Sequence, residues 1–134
     1  MLTEMNRRYG PGDLAFVDPA TFRAPVGAFV VAYLDEEPAG CGGLIQVDAR
    51  LAEVKRMFVR AIYLRRGIGR AILAAIEARA KDLGYHELRL ETGTRQPEAI
   101  GLYRSSGWSA IPCFPPYADD PLSVCFVKSL VDVS

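Results

Sequence analysis

Val59-Arg60-Ala61-Ile62-Tyr63-Leu64-Arg65-Arg66-Gly67-Ile68-Gly69-Arg70-Ala71 is the stretch that decides how this chain folds. Before it, Leu51 to Val59 reads as a strand. After it, Ile68, Ile72, Leu73, Ile76, Ala80 and Leu83 recur at steps of three and four, the apolar face of a helix. A strand therefore ends and a helix begins across a turn holding two glycines. A helix N-terminus leaves backbone N–H groups without partners and carries partial positive charge. Gly67 and Gly69 let a ligand approach that backbone unobstructed, which suits a pyrophosphate. Arg65, Arg66 and Arg70 add mobile positive charge. The plain alternative is a glycine-eased turn followed by a solvated arginine face. A dinucleotide fingerprint is excluded, because Ile72 stands where its third glycine belongs, and a nucleotide-hydrolase loop because no Gly-Lys-Ser/Thr follows.

Upstream, Ala28 to Leu34 is β-branched and aromatic, hence a strand. Asp35 to Pro38 reads as a turn, and Ala39 to Val47 as a second strand whose Gly40, Gly42 and Gly43 signal a bulge or a close packing neighbour. With Leu51 to Val59 these strands make an antiparallel meander. Downstream, Gly84 stops the helix, Glu87 to Thr92 alternates as a strand, and Pro97 opens a second helix reaching about Ser106. Trp108 to Cys113 and Leu122 to Lys128 are the closing strands, joined by a proline-rich loop. The class is α/β (α+β): a mixed sheet with a meander, a right-handed strand–helix–strand crossover and a C-terminal hairpin.

A chain of 134 residues has room for one domain, 1–134, with 1–26 as a short helical or irregular segment and 27–130 as the core. Sixteen basic and sixteen acidic residues leave no net charge, so a nucleic-acid partner is not expected. Cys41, Cys113 and Cys125 read as small buried thiols, and with His86 the only histidine, no metal site is expected. The opening residues resemble no signal peptide, and no window approaches the roughly 20 apolar residues that cross a bilayer. A cytoplasmic protein without membrane attachment is the default expectation.

Further along the chain, Gln96-Pro97-Glu98-Ala99-Ile100-Gly101-Leu102-Tyr103-Arg104-Ser105-Ser106-Gly107-Trp108 starts 27 residues beyond Gly69. Together the two blocks resemble the GNAT superfamily of acyl-CoA-dependent N-acetyltransferases. The glycine block is similar to that family's Gln/Arg-x-x-Gly-x-Gly/Ala turn. The block from Gln96 is similar to its Asn-x-x-Ala-x-x-x-Tyr-x-x-x-Gly-Phe helix, with Gln96 for the asparagine and Trp108 for the phenylalanine. Leu64 stands where the family carries Gln or Arg, so one phosphate donor is absent. The resemblance also implies that the first strand and most of the first helix are missing, with 2–9 the remnant of the second helix. An incomplete layer of that kind leaves an edge or face for a homodimer to cover.

The resemblance implies acetyl-CoA as donor and a small-molecule or amino-acid-like amine as acceptor, attacked directly. A module that binds acyl-CoA without turnover is the alternative. The pantetheine arm would pair with backbone at Met57, Phe58 and Val59, and the pyrophosphate would sit on Arg65, Arg66, Gly67, Ile68, Gly69 and Arg70. Gln96 and Ala99 would line the arm, although Gln96 also suits a helix cap. Tyr103 would be the general acid, or else an aromatic core residue. Glu53, eleven residues before Leu64, is the expected base or else a solvated strand residue, with Glu91 its rival. Arg104 would reach the terminal phosphate or face solvent. The loop from Phe114 to Asp120 would gate the acceptor or simply connect two strands.

Overall fold

A computed structural model describes residues 27–131. The expectations for the N-terminal segment, its helical turns and its missing strand, lie outside the described residues. Strand β1 (Ala28–Leu34) turns back at Asp35 and Glu36 into β2 (Glu37–Gln46). Both turn residues take positive φ, 50° and 69°, as a two-residue hairpin turn requires. The turn is thus shorter than the sequence suggested, with Glu37 and Pro38 already paired to Leu34 and Tyr33. The next turn is held by Asp48 Oδ1, which accepts from the N–H groups of Arg50 and Leu51 at 2.8 and 2.9 Å. Strand β3 (Leu51–Val59) completes the meander.

A 3-10 turn at Ala61–Tyr63, which periodicity could not signal, leads to helix α1 (Ile68–Asp82). Strand β4 (Glu87–Gly93), helix α2 (Pro97–Ser105), β5 (Ser109–Ile111) and β6 (Ser123–Ser129) follow. The six strands lie in the order β1-β2-β3-β4-β6-β5. Only β3 and β4 pair in parallel, as the crossover demands. The closing hairpin exists, but β6 inserts between β4 and β5 and pairs with β4 from Glu87↔Ser129 to Gly93↔Ser123. Strand β5 is shorter than read, since the Trp108 N–H still donates to Tyr103 O at the end of α2, at 3.0 Å, and Pro112 has no N–H to extend the pairing.

The apolar stripe of α1 (Ile72, Leu73, Ile76, Ala80) packs on a sheet face holding Leu44, Ala52, Val54, Leu88, Leu90 and Phe126. The glycines of β2 set how close that helix comes. A Cβ on Gly40 would stand 2.6 Å from Phe58 O and 2.9 Å from Ile72 Cδ1, and one on Gly42 2.7 Å from Met57 Sδ and 2.8 Å from Ile76 Cδ1. Both readings of these glycines, bulge and close neighbour, hold here.

The cysteine reading is corrected for two of the three. Cys113 and Cys125 form a disulfide, because the β5–β6 register sets Ile111 opposite Cys125 and brings the chain just beyond β5 to the same place. Cys41 remains a buried thiol, its Sγ donating to Arg56 O at 3.6 Å. Among the described residues no helix is long and apolar enough to cross a membrane, and no group of three or more His, Cys, Asp or Glu could hold a metal.

Candidate active site

The site begins with a defect in β3. Gly42 faces two residues where regular pairing allows one, because Cys41 pairs with Phe58 while Gly43 pairs with Lys55. Arg56 takes a φ of 59° at this bulge. A bulge bends its strand and increases local twist. The parallel pairing of β3 with β4 accordingly runs only from Leu51↔Glu87 to Glu53↔Arg89. Beyond that the strands part, and a cavity of about 1260 Å³ opens between them.

Met57, Phe58 and Val59 all line this cavity. Arg60 N–H donates to Ala39 O at 2.8 Å, on the β2 side. Successive residues of a strand present their backbone groups to opposite edges. Val59 and Met57 therefore offer theirs to the edge that β4 has left. Phe58 O is turned toward β2, against Gly40, so Phe58 contributes its half-exposed ring rather than its backbone.

At the mouth, Gly67 caps α1 with a φ of 76° and has open space where a side chain would be. The first helical bond is Ala71 N to Gly67 O at 3.0 Å, so the N–H groups of Ile68, Gly69 and Arg70 precede it. Gly69 packs close to Leu102 of α2, 3.1 Å from a would-be Cβ. Arg70 donates to the hydroxyls of Ser106 and Ser105 at 3.0 and 2.8 Å, tying α1 to α2. Arg65 faces Glu98 at 3.7 Å, with both side chains largely exposed. Arg66 lies outside the cavity wall, 5.9 Å over the ring of Tyr63. Leu64 is half-exposed in the wall, where it offers no donor.

Across the cavity, Gln96 occupies the N-cap position of α2 without a side-chain capping bond. It lines the wall with Ala99 and Tyr103. Arg104 does not line it. Tyr103 is buried, its ring packed against Trp108 and Phe126 at 6.0 and 5.8 Å. Its hydroxyl makes no hydrogen bond among the described residues. Burial pushes the phenol up to about 12, so it stays protonated at any working pH.

Three carboxylates line the same cavity: Glu98, already placed beside Arg65, and Glu53 and Glu91 on the two strands that part. Glu53 is buried, with Oε2 2.8 Å from Lys55 Nζ and Oε1 3.0 Å from Arg89 Nε. Glu91 accepts from Ser123 Oγ at 2.7 Å through one oxygen. Lys55 reaches the Tyr117 hydroxyl at 3.5 Å, and Arg89 lies 3.8 Å from the ring centroid of Phe114. The loop following β5 is thereby folded over the splay, and Tyr117 lines it. Sequence reading passed over Lys55 and Arg89. The available signal was their alternation: Glu53 and Lys55 share one strand face, and Arg89 is the β4 residue opposite Glu53.

A splayed parallel pair, a glycine turn opening a helix and a protonated tyrosine in the wall define a thioester-binding acyl-transfer fold. The sequence profile of the Acetyltransferase (GNAT) family matches residues 3–108, and the chain belongs to that family. It is thus an acyltransferase with acetyl-CoA as its donor. It is 39% identical over 115 residues to the IAA acetyltransferase of Azospirillum brasilense, across 85% of this chain and 75% of that protein. To YsnE, an uncharacterized N-acetyltransferase of Bacillus subtilis, it is 38% identical over 110 residues, 81% and 73% of the two chains. A crystal structure from Klebsiella pneumoniae, described as an acyl-CoA N-acyltransferase, is similar with a TM-score of 0.77 and 31% identity, covering 97% of this chain and 87% of its own.

Proposed function

We propose that this chain moves the acetyl group of acetyl-CoA to the amine of a small or amino-acid-like molecule by direct attack in the splay between β3 and β4. The observation that carries this reading is the end of β3–β4 pairing at Glu53 and Arg89, which leaves a strand-wide gap leading to the Gly67–Arg70 turn. An extended pantetheine arm fits such a gap as an added strand, bonding to the backbone of Met57 and Val59. Its pyrophosphate then meets the N–H groups of Ile68, Gly69 and Arg70, with Arg65 beside them. Gln96 and Ala99 border the arm from α2.

The amine lone pair attacks the thioester carbonyl carbon, and the C–S bond breaks as the amide forms. The Tyr103 hydroxyl donates to the departing sulfur and supplies its proton, which solvent then restores. For the amine proton we place the base at Glu91, directly or through water. Glu53 lines the cavity as the sequence suggested, but Lys55 and Arg89 engage both of its oxygens. Its role in this reading is to anchor Lys55 and Arg89.

Calorimetric titration with acetyl-CoA, beside Gly67→Glu, tests the donor half of this reading. The wild-type protein should bind, and the variant should lose at least about tenfold in affinity, because a carboxylate would enter the pyrophosphate site. Thiol release with a panel of amines tests the transfer. Equal binding by wild type and Gly67→Glu would remove the turn from the site.

A further inference from the structure

We infer that the acceptor carries an acidic group, a carboxylate, beside its amine, and that Lys55 with the Tyr117 hydroxyl forms the subsite that recognises it. The inference rests on the transfer reading above and narrows its acceptor from amines at large to amino acids.

Lys55 and Glu53 lie on β3 where it parts from β4, and both line the cavity. Glu53 is the one carboxylate contacting both Lys55 and Arg89. Two cations therefore share one anion, so this trio carries one positive charge in excess. The Lys55 side chain is 33% exposed, against 7% for that of Glu53. Its open side thus faces the cavity while its anchor is buried. An ammonium has three donors. One goes to Glu53 Oε2 at 2.8 Å and one toward Tyr117 Oη at 3.5 Å, leaving one for a ligand. The Tyr117 hydroxyl can itself donate to a carboxylate oxygen.

Lys55 keeps its charge in this setting. Burial alone would pull the ammonium down, but Glu53 and Tyr117 push it up, and the net shift is upward from its ordinary value. A partly desolvated cation with an unused donor is stabilised by an incoming anion far more than a solvated one. The opposite charge lies on the neighbouring strand. Glu91, on the same face of β4 as Arg89, also lines the cavity and spends one oxygen on Ser123. A cation on β3 and a carboxylate on β4 therefore flank the place where the strands part. A zwitterion matches both, its acid on Lys55 and its amine toward Glu91. A plain amine would leave the third Lys55 donor unused.

The test measures acetyl transfer to matched acceptors: α-, β- and γ-amino acids, their carboxamides, and the amines lacking the acid. For wild-type protein the best acid-bearing acceptor should exceed its carboxamide at least about tenfold in kcat/KM, the worth of one charge-assisted hydrogen bond. That ratio should collapse toward one in Lys55→Met and fall several-fold in Tyr117→Phe, chiefly through KM of the acid. As a further readout, the N-acetylated amino acid product should bind the protein–CoA complex, and Lys55→Met should weaken that binding about tenfold or more. Acetyl-CoA titration checks that each variant is folded. Carboxamides or plain amines accepted as well as acids, or an acid preference that Lys55→Met leaves intact, would overturn the inference while transfer stands. Acetyl-CoA binding without transfer to any acceptor would remove the transfer reading itself, and this inference with it.

Discussion

Tyr103→Phe separates the two roles an aromatic residue can have at that position. The ring fills the space between Trp108 and Phe126, and phenylalanine would fill it equally. The hydroxyl has no partner among the described residues, so its removal forfeits no internal hydrogen bond there and relieves a desolvated polar group. The variant should therefore be as stable as the parent or more so, by up to about 1 kcal/mol, a rise of no more than roughly 5 °C in Tm. Catalysis should respond in the opposite direction. Loss of a positioned general acid costs roughly 10²- to 10⁴-fold in rate, and kcat should fall by that order while acetyl-CoA affinity holds. The pH dependence has a definite sign. With Tyr103 raised to about 12 by burial, the fold favours the neutral phenol over the unfolded value of about 10. That contribution is complete below pH about 10 and is lost as pH rises toward 12. The phenylalanine variant should thus lose less stability than the parent across that window. Thermal unfolding by circular dichroism, run beside continuous thiol release, measures all of this. A Tm lowered by more than about 5 °C, or a kcat within about threefold of the parent, would refute the reasoning and leave Tyr103 a core residue.

Other substitutions probe the rest of the structure. Glu98→Gln breaks an exposed contact with Arg65 at 3.7 Å, so Tm should not move, while removal of a negative charge from the proposed pyrophosphate site should tighten acetyl-CoA binding a few-fold at low salt. Calorimetry at two ionic strengths reads both effects. Gly40→Ala should destabilise by about 1–3 kcal/mol, because its Cβ would meet the backbone Phe58 O at 2.6 Å. Gly101→Ala, in α2 with nothing within 4 Å of its Cβ, should instead stabilise by roughly 0.5–1 kcal/mol in urea unfolding. Glu53→Gln leaves Lys55 and Arg89 without their shared anion and should cost about 2–4 kcal/mol. Glu91→Gln should leave Tm near the parent value and lower kcat, so the pair tells the anchoring carboxylate from the proposed base.

The elements that local pattern controls were legible in the sequence. Helix α1 declares itself by an apolar stripe from Ile68 to Ala80, and β1 and β3 by their strand composition. The Gly67–Gly69 turn is legible for the same reason, since its chemistry lies in consecutive residues. What escaped depends on partners distant in the chain. Nothing in Ser123 to Ser129 says that this strand enters between β4 and β5 rather than at the edge. The Cys113–Cys125 bridge follows from the β5–β6 register, which composition does not set. Glu53 could be given a place in the site, but its charge partner Arg89 is 36 residues away and is set by the parallel register. Which side chains engage a carboxylate's oxygens is therefore visible only in the fold.

One local irregularity links the core to the chemistry. The extra residue at Arg56 bends β3 away from β4, and Gly42, across from the bulge, lacks the Cβ that would collide with Met57 and Ile76. Helix α1, whose N-terminus ends the splay, thereby packs closely onto β2 beside the bulged strand. Parting two strands inside a sheet leaves backbone groups without partners, which is costly where water is excluded. The cavity is wide enough for water to reach Met57 and Val59 in the absence of donor, and an extended amide-bearing arm replaces that water with strand-like bonds. In the proposed reading, binding energy gathered along the arm and at the Gly67 turn fixes the thioester against Tyr103, beside an acceptor held by Lys55 and Glu91. Positioning a reacting carbon by contacts remote from it is how binding energy becomes rate.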